Sequence, residues 1–303
     1  MNFGGNKKIK QTINRIKNST TMKSGIWYMA TDFLLKGMAF ITIPIFTRLL
    51  SVKDYGLVSV YTTFVGIFAI IAGLDLNTSI GTGINDFKEK KKEFLSSTIF
   101  SSLISFLVIF FSISLLFKNQ LSKLFDIQKD IFVLSIISGY LSFVFNFYIT
   151  IKVFEKDYKK KSLMSLINAL LNIGLSIWLV TIIKNNKYYG KVYGDIIAKL
   201  ILAIILFLVI VIKGKKLIWI KAWKYSFFIS LPLIFHHISG MMLSQFDRLA
   251  IQKIKGLTDV GLYSYAYTLG MIPLVILGAT NLAKQGFDYK EILNHYYKNI
   301  TIN

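Results

Sequence analysis

Long apolar runs separated by short polar turns dominate the chain. Runs of roughly twenty residues, the length a ~30 Å hydrocarbon core requires, occur at approximately Ile26–Leu50, Leu57–Ile84, Phe94–Phe117, Ile131–Phe154, Leu163–Ile183, Tyr193–Ile212, Phe227–Gln252 and Val260–Ala283. Each predicts a membrane-spanning helix. The expected fold is therefore an all-α polytopic membrane protein of about eight spans. Residues 1–24 form a basic N-terminus and 25–212 a complete six-helix lobe. An interfacial linker at 213–226 leads to two helices of a second lobe at 227–283, and a polar tail covers 284–303.

One segment occurs twice. DYGLVSVYTT (Asp54–Thr63) and DVGLYSYAYT (Asp259–Thr268) are identical at Asp54/Asp259, Gly56/Gly261, Leu57/Leu262, Ser59/Ser264 and Thr63/Thr268. Each follows an apolar run that ends near an arginine, Arg48 or Arg248, and a short polar turn. Internal repeats in a membrane protein usually mean two related lobes around a central pathway. Both copies start on the same side of the predicted membrane. That requires a pseudo-two-fold axis along the membrane normal, pairing Gly56 with Gly261.

Charge then sets the orientation. The formal net charge is +21, with 36 Lys and Arg against 15 Asp and Glu. Twenty-three of the cations fall in the N-terminus and every second loop after it, eleven in the other loops, and Lys36 and Lys199 inside spans. Cations accumulate on the cytoplasmic side, so both termini are expected there. The same layout, short Lys clusters between spans, argues for the lipid bilayer rather than nucleic acid as the partner. The first run is too long for a cleaved leader, holds Lys36 and lacks a small-residue cleavage site, so it predicts a retained span. Cysteine is absent, which excludes disulfides and thiolate chemistry, and the three histidines lack zinc-ligand spacing.

Ionisable groups inside hydrocarbon are costly and are functional candidates by default. Lys36 lies near the predicted midplane, with Asp32 one turn earlier on the same face. Asp195 and Lys199 repeat that device in the sixth span. Each pair can also be a self-neutralising structural couple. Arg48 and Arg248, at the outer ends of the first and seventh spans, either snorkel to headgroups or face a lumen. Asp247 stands beside Arg248, and Asp75 lies toward the inner end of the second span. Asn146, Asn168 and Asn172 suit interhelical hydrogen bonds. His236 and His237 suit packing or a pore better than a metal. The linker KGKKLIWIKAWKYS, Lys213–Ser226, puts Trp219 and Trp223 one turn apart among lysines, a pattern for lying on headgroups. No phosphate-cradling Gly loop and no nucleophile with its base is present, so an enzyme is not expected and no cofactor is implied.

Three segments carry a family resemblance. LLKGMAFITIPIFTRLLSVKDYGLVSVY (Leu34–Tyr61), GLDLNTSI (Gly73–Ile80) and LPLIFHHISGMMLSQFDRLAIQKIKGLTDVGLYSYAYTLG (Leu231–Gly270) resemble bacterial polysaccharide flippases. These are the O-antigen and capsule repeat-unit exporters of the multidrug/oligosaccharidyl-lipid/polysaccharide superfamily. The resemblance implies two six-helix lobes around a cationic, water-filled cavity. It also implies a substrate, an undecaprenyl-pyrophosphate-linked glycan, moved across the bacterial cell membrane. Lys36, Arg48 and Arg248 are then candidates to meet pyrophosphate or acidic sugars, with Lys199, Asp247, Asp32 and Asp75 as further cavity candidates. A polysaccharide polymerase or another assembly protein is an implied partner. Relatives have twelve or more spans, so a chain of eight is expected to be C-terminally truncated. The competing readings are a multidrug antiporter-like transporter, a lipid II-type flippase, and an inactive remnant or assembly partner of the polysaccharide machinery.

Overall fold

The computed structural model describes residues 20–271 and 273; on the first helix the side chains of 20–26, 28, 29, 32 and 39 lie outside that description. The described residues are helical, with no strand. Helix α1 spans Thr20–Leu49, 30 residues and so about 45 Å at 1.5 Å per residue. Ser51 ends it and starts α2 (Val52–Ile71) through a reciprocal cap. The Ser51 hydroxyl accepts from the Asp54 amide at 3.1 Å, and the Asp54 carboxylate accepts from the Ser51 amide at 3.3 Å. Two of the amide donors orphaned at the helix start are thereby satisfied.

The chain then departs from the expected continuous second span. Helix α2 stops at Ile71, and Leu74 and Asp75 adopt left-handed backbone angles, φ 47° and 50°. A 3₁₀ turn (Leu76–Ser79) and a short α3 (Ile80–Asp86) follow. Non-glycine residues rarely turn left-handed, and lipid tolerates irregular backbone only where protein encloses it. Here Ala72, Leu76 and Ile80 are all fully buried.

Helix α4 (Lys91–Ser112) passes through a π turn (Ile113–Phe117) into α5 (Lys118–Leu124). Then come α6 (Lys129–Phe154), α7 (Tyr158–Ile182), α8 (Tyr188–Gly214), α9 (Ile220–Lys255) and α10 (Leu257–Gly270). Six stretches among the described residues are both long and apolar enough to cross a membrane: α2, the run from Lys88 to Leu124, α6, α7, α8 and α9. They correspond to the second through seventh expected spans. The first expected span is α1. The eighth begins as α10, and its remainder lies outside the described residues, as do the basic N-terminus and the tail.

The linker expected at 213–226 is shorter than the sequence pattern implied. Helix α9 already starts at Ile220, so only the few residues before it are non-helical. Trp223 turns inward, its indole N–H donating to the Ser97 carbonyl and hydroxyl on α4 at 2.9 and 2.8 Å. A buried polar partner on α4 thus holds an indole that the Lys-rich context alone assigns to the headgroups.

Helix α6 is the centre of the bundle. One face buries Phe143, Val144 and Phe147 against Leu76, Ile80, Phe94 and Ile99. The other presents Ile131, Phe132 and Ile136 to Phe64, Phe68 and Val192. Lipid is as apolar as these side chains, so close packing rather than expulsion from water must hold the helices together.

The repeat lies in this packing. A methyl group added at Gly56 of α2 would sit 1.9 Å from the Leu257 carbonyl oxygen and 2.9 Å from the Gly261 nitrogen. One added at Gly261 of α10 would sit 2.1 Å from the Val52 carbonyl oxygen. Val52 and Leu257 are themselves equivalent in the repeat, so the contact is reciprocal, as a two-fold interface demands. Equivalent hydroxyls meet one turn further on, where Ser59 and Ser264 hydrogen-bond at 2.7 Å. Pairing at two successive equivalent positions requires α2 and α10 to run parallel. The expected pseudo-two-fold axis along the helices is therefore present, and it passes between the two glycines.

Candidate functional site

Beside that axis α1, α2, α7, α8, α9 and α10 enclose a cavity of about 470 Å³. Its α1 wall is the stripe Leu35, Met38, Thr42, Ile43 and Phe46. Hydroxyls come from Ser59 and Thr62 on α2 and from Ser264 and Thr268 on α10. Among the described residues that line it, the charged ones are Lys191 and Arg248.

Lys191 stands in the first turn of α8. Gly190 and Gly194 flank it, and a methyl at either would fall within 2.6 Å of the α7 backbone at Val180 or Ser176. This small-xxx-small approach brings α7 close enough for the Lys191 ammonium to donate to Asn172 Oδ1 at 2.9 Å and Ser176 Oγ at 3.2 Å. The ammonium also lies 4.7 Å over the Phe46 ring. The other end of the Asn172 amide donates to Asp195 Oδ1. Asp195 Oδ2 accepts from Lys199 at 2.7 Å, Ser138 at 2.8 Å and Tyr61 at 2.9 Å.

The Asp195–Lys199 pair is thus structural in its geometry. Its carboxylate has four donors and its lysine a direct counter-charge, and neither lines the cavity. The network of Lys191, Asp195 and Lys199 keeps one excess positive charge, and the group without a direct carboxylate partner, Lys191, is at the cavity wall. Lys191, Asp195 and Lys199 follow at four-residue steps on one face of α8. That spacing was the available signal for Lys191, which its place near the start of the span assigned to a loop instead.

Arg248 is buried on α9, its guanidinium 4.7 Å over the Tyr267 ring. Among the described residues its side-chain hydrogen bonds all leave from Nη1, to Gln245 Oε1 at 2.9 Å, Ser244 O at 3.3 Å and Asp247 Oδ1 at 3.5 Å. Asp247 accepts from the Tyr263 hydroxyl and does not line the cavity. Asn168 Oδ1, in the cavity wall, is buried with no hydrogen-bond partner among the described residues. A hydroxyl donor in the cavity would satisfy it. The site therefore offers two cations, several hydroxyls and an unfilled acceptor, a set suited to an anionic, hydroxyl-rich ligand.

The remaining candidates fall elsewhere. Arg48 is exposed at the end of α1 and is not a symmetry mate of Arg248. The register that places Gly56 on Gly261 pairs Arg48 with Lys253 and Arg248 with Ile43. Lys36 is exposed, one residue along α1 from the cavity-lining Leu35. The Asp32 side chain lies outside the described residues, so its pairing with Lys36 does too. Asp75 sits at the break after α2, buried, and meets His237 Nδ1 at 2.5 Å. His237 is midway along α9, so this contact ties the break to that helix. Among the described residues no group of His, Asp and Glu could hold a metal ion.

Helices long and apolar enough to cross a bilayer, six among the described residues, define a multi-pass membrane protein. The chain belongs to the polysaccharide biosynthesis protein family, which it matches over residues 21–283, so it acts in polysaccharide synthesis or export. Comparison with characterised proteins and with solved structures gives no match.

Proposed function

We propose that the chain is a flippase of the bacterial cell membrane, with cytoplasmic termini, rather than an enzyme. It carries undecaprenyl-pyrophosphate-linked oligosaccharide repeat units, of the kind used for O-antigen or capsule, from the inner to the outer leaflet. The observation that carries this reading is the cavity charge: Lys191 and Arg248 line it, and no carboxylate does among the described residues. An anionic head group gains from two cations in a low-dielectric site, whereas an organic cation would be repelled. The multidrug-antiporter reading is disfavoured for that reason. Alternating access would come from rocking of the two lobes about the α2–α10 axis, which needs only a population shift between two packings.

The test is export in cells lacking their own repeat-unit flippase, read as surface polysaccharide at matched protein level. Lys191→Met and Arg248→Gln should each lower export, and Lys191→Arg should retain much of it. The double substitution Asp195→Asn with Lys199→Met removes charges outside the cavity and should be far milder. Normal export by a folded Lys191→Met/Arg248→Gln double variant would remove the cavity from the mechanism.

A further inference from the structure

A second cleft, of about 600 Å³, opens at the cation-rich end of the bundle. It lies between the start of α4 and the ends of α6 and α8, far from the cavity beside the two-fold axis. Among the described residues six lysines (88, 90, 91, 92, 152 and 213) and three glutamates (89, 93 and 155) line it, a formal charge of +3. Glu155 is shared by Lys91 and Lys152, at 2.8 and 2.5 Å. Glu93 faces Lys216 at 3.6 Å. Lys88, Lys90, Lys92 and Lys213 then have no carboxylate within ion-pair distance among the described residues.

The walls of this cleft are built. A methyl at Gly214 would sit 2.2 Å from both the Lys92 carbonyl oxygen and the Ser96 hydroxyl. Ser96 in turn donates to the Lys216 carbonyl at 2.8 Å. The end of α8 is therefore held directly on the first turn of α4. The floor is apolar, with Leu95, Ile151, Val209 and Ile210. From Val209 an apolar column continues along α8 through Ile205 and Ile201, which are 52% and 42% exposed. In a bilayer that column faces hydrocarbon. A charged cleft opening onto an apolar track has the two chemistries of a phospholipid.

We propose that this cleft binds the head group of an anionic glycerophospholipid, a two-phosphate head group in preference to a single phosphate, with an acyl chain along Val209, Ile205 and Ile201. Among the described residues four lysines and one glutamate, Glu89, have no ion-pair partner, and the net charge of +3 spread over two helix ends matches two phosphates better than one. Basic clefts between spans at the cytoplasmic surface are suited to such head groups. The site is separate from the transport cavity, and its claim stands whether or not that cavity carries a glycan.

Native mass spectrometry of the full chain tests this. The chain is released from bilayers of phosphatidylcholine containing either cardiolipin or phosphatidylglycerol. The wild type should retain cardiolipin over phosphatidylcholine, and over phosphatidylglycerol more weakly. Lys90→Gln/Lys92→Gln/Lys213→Gln should lower retained cardiolipin by about a hundred-fold, the scale expected from removing three cations at an anionic surface. Lys118→Gln/Lys123→Gln/Lys129→Gln, at the other end of the bundle, should leave retention unchanged. Both triple variants alter surface lysines, and monodisperse elution verifies their folding. Equal retention by the 90/92/213 variant would overturn the site. Displacement of cardiolipin by equimolar undecaprenyl pyrophosphate would assign the cleft to a polyprenyl lipid, and displacement by inorganic pyrophosphate to a soluble anion. Either outcome overturns the proposal.

Discussion

The two-fold contact between α2 and α10 makes a quantitative claim about glycine. At Gly56 an added methyl meets backbone, the Leu257 carbonyl at 1.9 Å, and no side-chain rotation can relieve that. Ordinary contact begins near 3.4 Å, so the helices must part by about 1.5 Å. Overpacking of this kind costs about 1–3 kcal/mol, offset by up to about 1 kcal/mol of helix propensity gained in replacing glycine with alanine. Gly56→Ala should therefore destabilise by about 1–2 kcal/mol. Gly174→Ala and Gly240→Ala, with nothing within 4 Å of the new methyl, should be neutral or stabilising. Because the contact is reciprocal, Gly261→Ala should match Gly56→Ala. The double variant should cost little more than either alone, since a separation that admits one methyl admits its symmetry mate. That is a coupling of roughly 1–2 kcal/mol, well above the additivity error of independent sites. Thermal unfolding of the detergent-solubilised chain, followed by size-exclusion fluorescence, measures all five variants against the wild type. Additive costs in the double variant, or a Gly56→Ala indistinguishable from Gly240→Ala, would refute the two-fold packing.

Three further outcomes follow from other contacts. Asp195→Asn should destabilise by about 3–5 kcal/mol because it strands Lys199, and adding Lys199→Met should recover most of that loss in the same unfolding assay. Lys215 caps α8 with φ 58°, so Lys215→Gly should stabilise by about 1 kcal/mol while the β-branched Lys215→Val destabilises. Burial disfavours the Glu155 carboxylate, but the hydrogen bonds from Lys152 and Lys91 outweigh it and hold the carboxyl below its ordinary value of 4.5. A depressed carboxyl stabilises fully above the unfolded value and loses that contribution as pH falls through the folded one. The stability margin of wild type over Glu155→Gln should thus be present at pH 7 and shrink on acidification below about 4.5, which a pH series of melting curves reads directly.

Much of the architecture is legible in the residue order because bilayer physics acts locally. A run of twenty apolar residues has few alternatives to a spanning helix, so α2, α4 and α6 through α9 follow from composition and length. The repeat was equally plain, and its five identities include the glycines and serines that touch across the axis. The break at Leu74 and Asp75 was not legible. Gly73, Asp75, Asn77, Thr78 and Ser79 form a breaker cluster, but the length of the flanking apolar run outweighed it, and the enclosing α6 and the His237 contact decide the matter. Trp223 was similarly ambiguous, since an indole beside lysines suits the headgroups until Ser97 offers its N–H a buried partner.

The charges divide in the same way. The sequence determined which side chains are ionisable and that burying them in lipid is costly, and it placed Asp195 and Lys199 one helical turn apart. Only the tertiary structure decided which charges are cancelled. Asp195 gathers donors from α2, α6, α7 and its own helix and leaves Lys191 at the cavity wall, while Arg248 reaches the same cavity from α9 with Asp247 3.5 Å from its guanidinium. Helical periodicity is set over a few residues, whereas the meeting of Lys191 with Asn172, or of Gly56 with Gly261, depends on backbone distances between helices far apart in the chain.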